Sequence, residues 1–257
     1  MGRATIYRPA GAVPNHKRDK TGKRRGPYAQ AMTPEALVRS ATAQSAVPFV
    51  PEIRLATAAE PYGLWDSTAR EAPPFWAFPW AGGQGLARYV LDHPGVVRGR
   101  RVLDVASGSG LVAIAAAKAG AARVTAGDID ELAVAAIGVN AAANGVAAVV
   151  TARQLDFAAG WGGTDGGNAD SGDDADSAGA ADVVLAADVF YQRELAALAL
   201  AFLSAAARSG ADVLVADPGR AFVPRAALTP LTTCELPVLS VLEDGQAKTV
   251  TIYRLEP

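Results

Sequence analysis

Short apolar runs alternate with segments of helical period through most of this chain, and most of the runs carry an aspartate at or near their end. Arg101-Val-Leu-Asp-Val-Ala106, Arg123–Asp128, Ala148–Asp156, Asp182–Asp188 and Ala211–Asp217 have the length and β-branched content of strands. The run at Asp182–Asp188 is continuous and apolar, as a central parallel strand requires. Between the runs lie predicted helices. Leu111–Gly120 puts Leu111, Ile114 and Ala115 on one face, with Gly120 where a C-terminal glycine ends a helix. Asp130 caps a helix over Glu131–Asn144 that Gly145 closes, and a third helix over Glu194–Ser209 ends at Gly210. Upstream, Thr33 and Pro34 read as the N-cap and first position of a helix. Val50–Leu55 is a short strand or an extended cover, with Tyr62, Leu64 and Trp65 as anchors of a lid. Gly85–His93 is helical through Leu86, Tyr89 and Val90, and Pro94 ends it. Near the C-terminus, Pro237–Leu242 and Thr249–Tyr253 flank Asp244-Gly245, the signature of an antiparallel hairpin. Strand and helix in alternation, then a hairpin, predict an α/β fold: a doubly wound, mostly parallel sheet of seven strands with an N-terminal extension.

Composition divides the chain. With 257 residues and 50% hydrophobic content it supports one sizeable core and an additional arm. Met1–Gln30 is rich in Pro, Gly, Arg and Lys and lacks a period. Eight bases against Asp19 give it a net charge of +7, so the overall −2 leaves −9 for the remainder. Residues 1–32 therefore read as a disordered basic arm, solvated or gripping an acidic partner or RNA. Its prolines, glycines and missing apolar face argue against a transit peptide. Residues 33–95 form a helical and aromatic cover, and 96–257 a single domain. Gly160–Ala181 interrupts that domain as a disordered acidic insertion without the ligand spacing of a calcium loop. Cys234 is the only cysteine and His16 and His93 the only histidines, which excludes a disulfide and a zinc site. No apolar run reaches about 18 residues, so no membrane span is expected, and the expected protein is cytoplasmic and monomeric.

Chemistry concentrates after the first of these strands. Ser107-Gly-Ser-Gly110 joins a strand to a helix, and glycines there allow close approach of a ligand to the helix N-terminus. A dinucleotide site wants three glycines at G-x-G-x-x-G, and only Gly108 and Gly110 are present. Asp104 lies just before the turn. A carboxylate repels a pyrophosphate and attracts an ammonium or sulfonium by several kcal/mol in a poorly screened site, at the order-of-magnitude level. That favours S-adenosylmethionine over NAD. Asp128, at the tip of the next strand, is placed to accept ribose hydroxyls, and Asp130 to cap the helix. Asp156 is a candidate for the adenine amino group with Phe157 beside the ring, although an exposed loop carboxylate fits as well. Pro73-Pro-Phe-Trp-Ala-Phe-Pro-Trp-Ala-Gly-Gly-Gln84 gathers aromatics ahead of the turn; Trp80, followed by a flexible Gly82-Gly83, either stacks on adenine or closes the core edge. Asp188-Val-Phe-Tyr191 follows the fourth strand at the end where α/β sheets hold their chemistry.

At these residues the chain resembles the class I, seven-strand S-adenosylmethionine-dependent methyltransferases. It is most similar to the electron transfer flavoprotein β-subunit lysine methyltransferase group. The resemblance covers roughly 45–257. It rests on Pro51-Glu-Ile53, Trp76 and Trp80 with Gly82-Gly-Gln84, Arg88-Tyr89, Leu91-Asp92, Pro94, Asp128-Ile-Asp130, Asp188-Val-Phe-Tyr191 and Asp217-Pro-Gly-Arg220. It implies a Rossmann-like sheet, protein-lysine methylation and no membrane or nucleic-acid partner. The cofactor would lie among Trp80, Asp104, Ala106, Ser107, Gly108, Gly110, Asp128, Ile129, Asp156, Phe157 and Ala187. Asp188 would steer the lysine ammonium and Tyr191 align the amine; a helix cap and a core ring are the structural alternatives. Ala106 stands where the family has its first glycine, which a tight turn tolerates if the Ala106 φ is negative. Rivals are a small-molecule N-methyltransferase, a non-catalytic module of the same fold and a dinucleotide oxidoreductase.

Overall fold

The computed structural model describes residues 32–59, 64, 73–162, 181–238, 243 and 245–257. The expected basic arm up to residue 31, the lid anchors Tyr62 and Trp65, and residues 163–180 of the acidic insertion lie outside the described residues. The elements in chain order are α1 (Pro34–Ala41), β1 (Ala43–Val47), β2 (Val50–Thr57), α2 (Ala81–Asp92), β3 (Arg101–Val105), α3 (Leu111–Lys118), β4 (Arg123–Asp128) and α4 (Glu131–Ala143). They continue with β5 (Val150–Gln154), β6 (Val183–Ala187), α5 (Arg193–Arg208), β7 (Asp212–Asp217), β8 (Leu228–Pro237) and β9 (Ala247–Leu255). Short 3-10 turns cover Phe75–Ala77 and Phe157–Ala159.

Seven strands form one sheet in the order β5-β4-β3-β6-β7-β9-β8. The first five are parallel, β9 is antiparallel to β7, and β8 lies antiparallel to β9 at the edge. Strand residues alternate between two faces, as the period of two dictates. Val102, Val124, Leu185 and Leu214 meet α2, α3 and α4 through Leu86, Val90, Val112, Ala116 and Ile137. Leu103, Val105, Val184, Val213 and Val215 meet α5 through Ala199, Phe202 and Leu203. The predicted doubly wound sheet with its antiparallel C-terminal strands is the observed one.

Thr33 caps α1 as expected, its Oγ1 accepting the Ala36 amide at 3.3 Å, and Asp130 caps α4 through the Leu132 amide. Gly120, Gly145 and Gly210 follow their helices with φ of 96°, 70° and 96°, the left-handed closure that glycine permits.

Two expectations need correction. The helix expected from Gly85 begins at Ala81, so Gly82 and Gly83 are its first turn rather than a flexible link. Gly82 must lack a side chain because Asp188 occupies the space of its Cβ. Of the expected first hairpin strand, Pro237–Leu242, residues 239–242 lie outside the described residues, and the strand that pairs with β9 is Leu228–Pro237. Pro230 demotes that segment as a central strand, yet β8 pairs only with β9, and an edge tolerates proline. The strand reading of Val50–Leu55 holds: it is β2, polar β1 pairs with it, and the hairpin buries Val50, Ile53 and Leu55 against Leu111, Ile114 and Ala115 of α3.

Two asparagines one turn apart, Asn140 on α4 and Asn144 at its C-cap, fix that hairpin. The Asn140 side chain accepts the Ala56 amide and donates to the Ser109 carbonyl, both at 2.8 Å, and is fully buried. Asn144 accepts the Arg54 amide at 3.0 Å and donates to the carbonyl of the same residue. A side chain of α4 thus satisfies the edge of β2 and tethers the loop that precedes α3. Asn140→Ala leaves two buried backbone groups unpaired and is expected to lower unfolding free energy by about 2 kcal/mol in urea titrations. A loss under about 0.5 kcal/mol would contradict this tethering role.

Candidate active site

From β3 the chain steps outward to β4 and β5, then returns to the other side of β3 as β6. Loops leaving the carboxyl ends of β3 and β6 must therefore diverge, and the crevice between them is where an open α/β sheet binds ligands. The first residue after each of these strands is left-handed: Ala106 with φ 49° and Asp188 with φ 57°. Among the described residues they are the only non-glycine residues with positive φ. Such conformations cost about 1–3 kcal/mol each and concentrate at functional sites. The negative φ that would make Ala106 an easy replacement for glycine is not observed. The turn demands the left-handed region, and the alanine is strained into it.

Backbone amides and carboxylates shape the turn after β3. The Ser107 amide donates to the Gly127 carbonyl at 3.0 Å, and the Gly110 amide to the Ser107 carbonyl at 2.8 Å. Gly110, with φ 83°, is the N-cap of α3, and a Cβ there would lie 3.3 Å from Ile137 Cα, so glycine is needed both for conformation and for the approach of α4. Asp104 is buried behind the turn, where its Oδ2 accepts the Ser107 hydroxyl and the Ala113 amide of α3. Asp128 Oδ2 accepts the Gly108 amide at 2.8 Å, and its Oδ1 the Asp130 amide at 3.0 Å. Burial pushes Asp104 up to about 7, its two hydrogen bonds opposing, and also raises Asp128.

The donor set discriminates between ligands. In a phosphate-binding turn the glycine amides face the anion; here the Gly108 amide is already given to Asp128. Two carboxylates adjoin the turn, and a cation fits that environment better than a pyrophosphate. A methyl donor carrying a sulfonium and an ammonium fits these residues.

The remaining expected ligand residues rim the same edge of the sheet. Ala106, Ile129 and Asp156 are exposed, Ile129 at 61%, an unusual value for isoleucine; Ser107, Gly108, Asp128 and Ala187 are half-buried. Asp156 accepts the Ala158 amide at 2.8 Å and so caps its own 3-10 turn. The Phe157 ring packs 5.4 Å from Phe202 of α5, which gives it a place in the core on that side of the sheet.

Across the crevice Asp188 is 13% exposed and richly bonded. Its Oδ1 accepts Arg220 Nε at 3.1 Å and Nη2 at 2.8 Å, and its Oδ2 accepts the Gly83 amide at 3.2 Å. Arg220 turns its two terminal nitrogens to both oxygens of Glu243, which also accepts the Ala81 amide. The start of α2, with no cap from Trp80, is thus capped by two acids joined through one guanidinium. A Cβ on Gly82 would lie 2.5 Å from Asp188 Oδ2, which explains a glycine inside a helix. Tyr191, 39% exposed, packs 5.6 Å from Phe75; Phe75 meets Trp80 edge-on at 5.7 Å, and Trp80 Nε1 donates to the Phe75 carbonyl at 2.8 Å. Asp188, Tyr191 and Trp80 are thus joined through α2 and Phe75, and Ser107, Gly108 and Asp128 through the turn after β3, with Asp104 buried behind it. Sequence reasoning missed Glu243, which carries no local signal beyond a neighbouring turn. It named Arg220 only as part of a motif.

Comparison with known proteins finds methyltransferases. The family model described as ribosomal protein L11 methyltransferase (PrmA) matches residues 89–186. The electron transfer flavoprotein beta subunit lysine methyltransferase of Xenopus laevis is 36% identical over 74% of this chain and 72% of its own length. The Homo sapiens protein of the same name is 46% identical over 37% of this chain and 38% of its own length. Among solved structures, a ribosomal protein L11 methylase from Lactobacillus delbrueckii subsp. bulgaricus aligns with TM-score 0.44 and 21% identity, covering 68% of this chain and 79% of that one.

Two outcomes are expected. Alanine normally stabilises a helical position by about 1 kcal/mol over glycine, yet Gly82→Ala should destabilise the fold and displace Asp188; a higher melting temperature would refute the close approach. Asp104, raised in the fold, contributes stability that is present below pH about 4 and is lost as pH rises through about 7. Wild-type stability minus that of Asp104→Asn should therefore fall by a few kcal/mol across that window. A difference independent of pH would show that Asp104 does not titrate there.

Proposed function

The chain belongs to the electron transfer flavoprotein β-subunit lysine methyltransferase family and is a methyltransferase, and from that premise we propose that it transfers a methyl group from S-adenosylmethionine to a lysine side chain of a protein, an electron transfer flavoprotein β subunit or one like it. The observation that carries this reading is the set of carboxylates at the switch point: Asp104 and Asp128 hold the glycine turn after β3, and Asp188 follows the neighbouring strand β6.

In this reading Asp128 keeps acceptor capacity beyond its two backbone bonds and takes the ribose hydroxyls. Ala106, Ser107, Gly108, Gly110 and Ala187 form the wall along the donor, and exposed Ile129 offers an apolar edge to adenine. Asp156 takes the adenine amino group with Phe157 behind it, and Trp80 closes the opposite side. S-adenosylmethionine, when bound, supplies a methyl group on a sulfonium leaving group. Everything else is positioning by the chain. A lysine of ordinary pKa near 10.4 arrives protonated, and only its neutral form attacks. Asp188 Oδ2 has one backbone donor and room for a second, so it attracts the ammonium. The Tyr191 hydroxyl, at the mouth, orients the amine, and the proton leaves to water or transiently to Asp188.

The exposed pair Phe75 and Tyr191 supports a protein acceptor over a small enclosed amine, because an aromatic rim open to solvent suits a docking surface. No helix of the described residues is long and apolar enough to cross a membrane. A cytoplasmic monomer is the simplest state for such an enzyme.

Asp188→Asn should retain S-adenosylmethionine binding within about threefold by calorimetry and lose methyl transfer to a purified flavoprotein β subunit by about 100-fold or more. Tritium incorporation at the wild-type rate would remove Asp188 from this role.

A further inference from the structure

Asp188 does not reach the crevice alone. Both of its oxygens are engaged, and the arginine that engages one of them is itself forked onto Glu243 from the segment between β8 and β9. The Arg220 backbone amide is fixed as well, donating to Asp217 Oδ1 at 2.6 Å at the end of β7. Arg220 is therefore immobilised at both ends of its side chain. The Glu243 side chain is only 4% exposed and lines a cleft of about 110 Å³ with Trp80, Pro79 and Pro48, so the clamp also borders the aromatic wall.

We infer that Arg220 and Glu243 are positioning residues that act in opposition on Asp188: the guanidinium aims the carboxylate and keeps it charged, and the glutamate holds the guanidinium while raising the cost of that charge. This rests on Asp188 being the carboxylate that meets the acceptor. The groups that face Asp188 are Arg220 and Asp217 from the end of β7, Glu243 from the β8–β9 segment, the Gly83 amide of α2 and, beyond, Tyr191. Two carboxylates, Asp188 and Glu243, share one guanidinium, and Asp217, with Arg220 and Arg225 as its basic neighbours, adds negative charge nearby. Burial raises Asp188 to about 6; the Arg220 charge and its hydrogen bonds oppose that rise, and Glu243 and Asp217 add to it. Above that pH Asp188 is ionised and can attract an ammonium; as pH falls through it the attraction is lost.

Removal of the two partners should therefore move Asp188 in opposite directions, which a merely structural role would not do. The test is a pH titration of the full-length protein carrying ¹³C-labelled aspartate, with the Asp188 carboxyl assigned from Asp188→Asn. The midpoint, near 6 in the wild type, should rise by about one unit or more in Arg220→Gln and fall by about half a unit in Glu243→Gln. Arg220→Lys, which keeps the charge and loses the fork, should lie between wild type and Arg220→Gln. If Arg220→Gln does not fold, Glu243→Gln and Arg220→Lys still decide. Midpoints unchanged in the variants, or an upward shift in Glu243→Gln, would overturn the inference. The acid side of the kcat/KM profile for methyl transfer should follow the same order. A profile that stays fixed while the carboxyl midpoints move supports the clamp and removes Asp188 from its catalytic role, so the two failures are distinguishable.

Discussion

Backbone amides at the carboxyl edge of the sheet are satisfied by aspartates. Asp104 takes the Ala113 amide, Asp128 the Gly108 amide, Asp156 the Ala158 amide, Asp188 the Gly83 amide and Asp217 those of Gly219 and Arg220. Every parallel strand thus ends in a carboxylate given to the loop or helix beside it. The amides at a loop or helix start need acceptors, and these bonds partly offset the cost of placing charge in a poorly solvated crevice. The residual cost is visible in the raised pKa values of Asp104, Asp128, Asp188 and Asp217. An edge built this way is short of positive charge, and Arg220, shared by two acids, does not make up the difference.

That imbalance connects architecture to activity. The sheet order places the loops after β3 and β6 on opposite sides of one crevice, and both begin with a residue strained into the left-handed region. One loop presents a glycine turn whose amide is already spent on Asp128; the other presents Asp188, aimed by Arg220 and approached closely by Gly82. A methyltransferase working on an amine binds a cationic donor and receives an acceptor that arrives as an ammonium and must lose its proton before it attacks. Carboxylates beside both loops suit both, and the aromatic segment around Phe75 and Trp80 closes the apolar side.

Much of this was legible in the sequence because it is local. Apolar runs with terminal aspartates gave the parallel strands, glycines after periodic segments gave the helix ends, and Asp130 and Thr33 gave caps that bond within three residues. What escaped depends on distant partners. Gly82-Gly83 looks like a hinge until Asp188, more than a hundred residues later, is seen to need the space. Glu243 has no signal of its own, because its partners Arg220 and Ala81 come from other elements. Asn140 and Asn144 look like ordinary helix residues until the edge of β2 is brought against them. The polar β1 and the proline-bearing β8 hide as strands because each is an edge, where pairing rather than burial decides.

The most direct measurement is a pair of calorimetric titrations of the full-length protein, with S-adenosylmethionine and with NAD at the same ionic strength. Saturable micromolar binding of the sulfonium compound and no binding of the dinucleotide is the predicted result. Binding of NAD in preference to S-adenosylmethionine would mean that the acidic crevice does not select a cationic methyl donor.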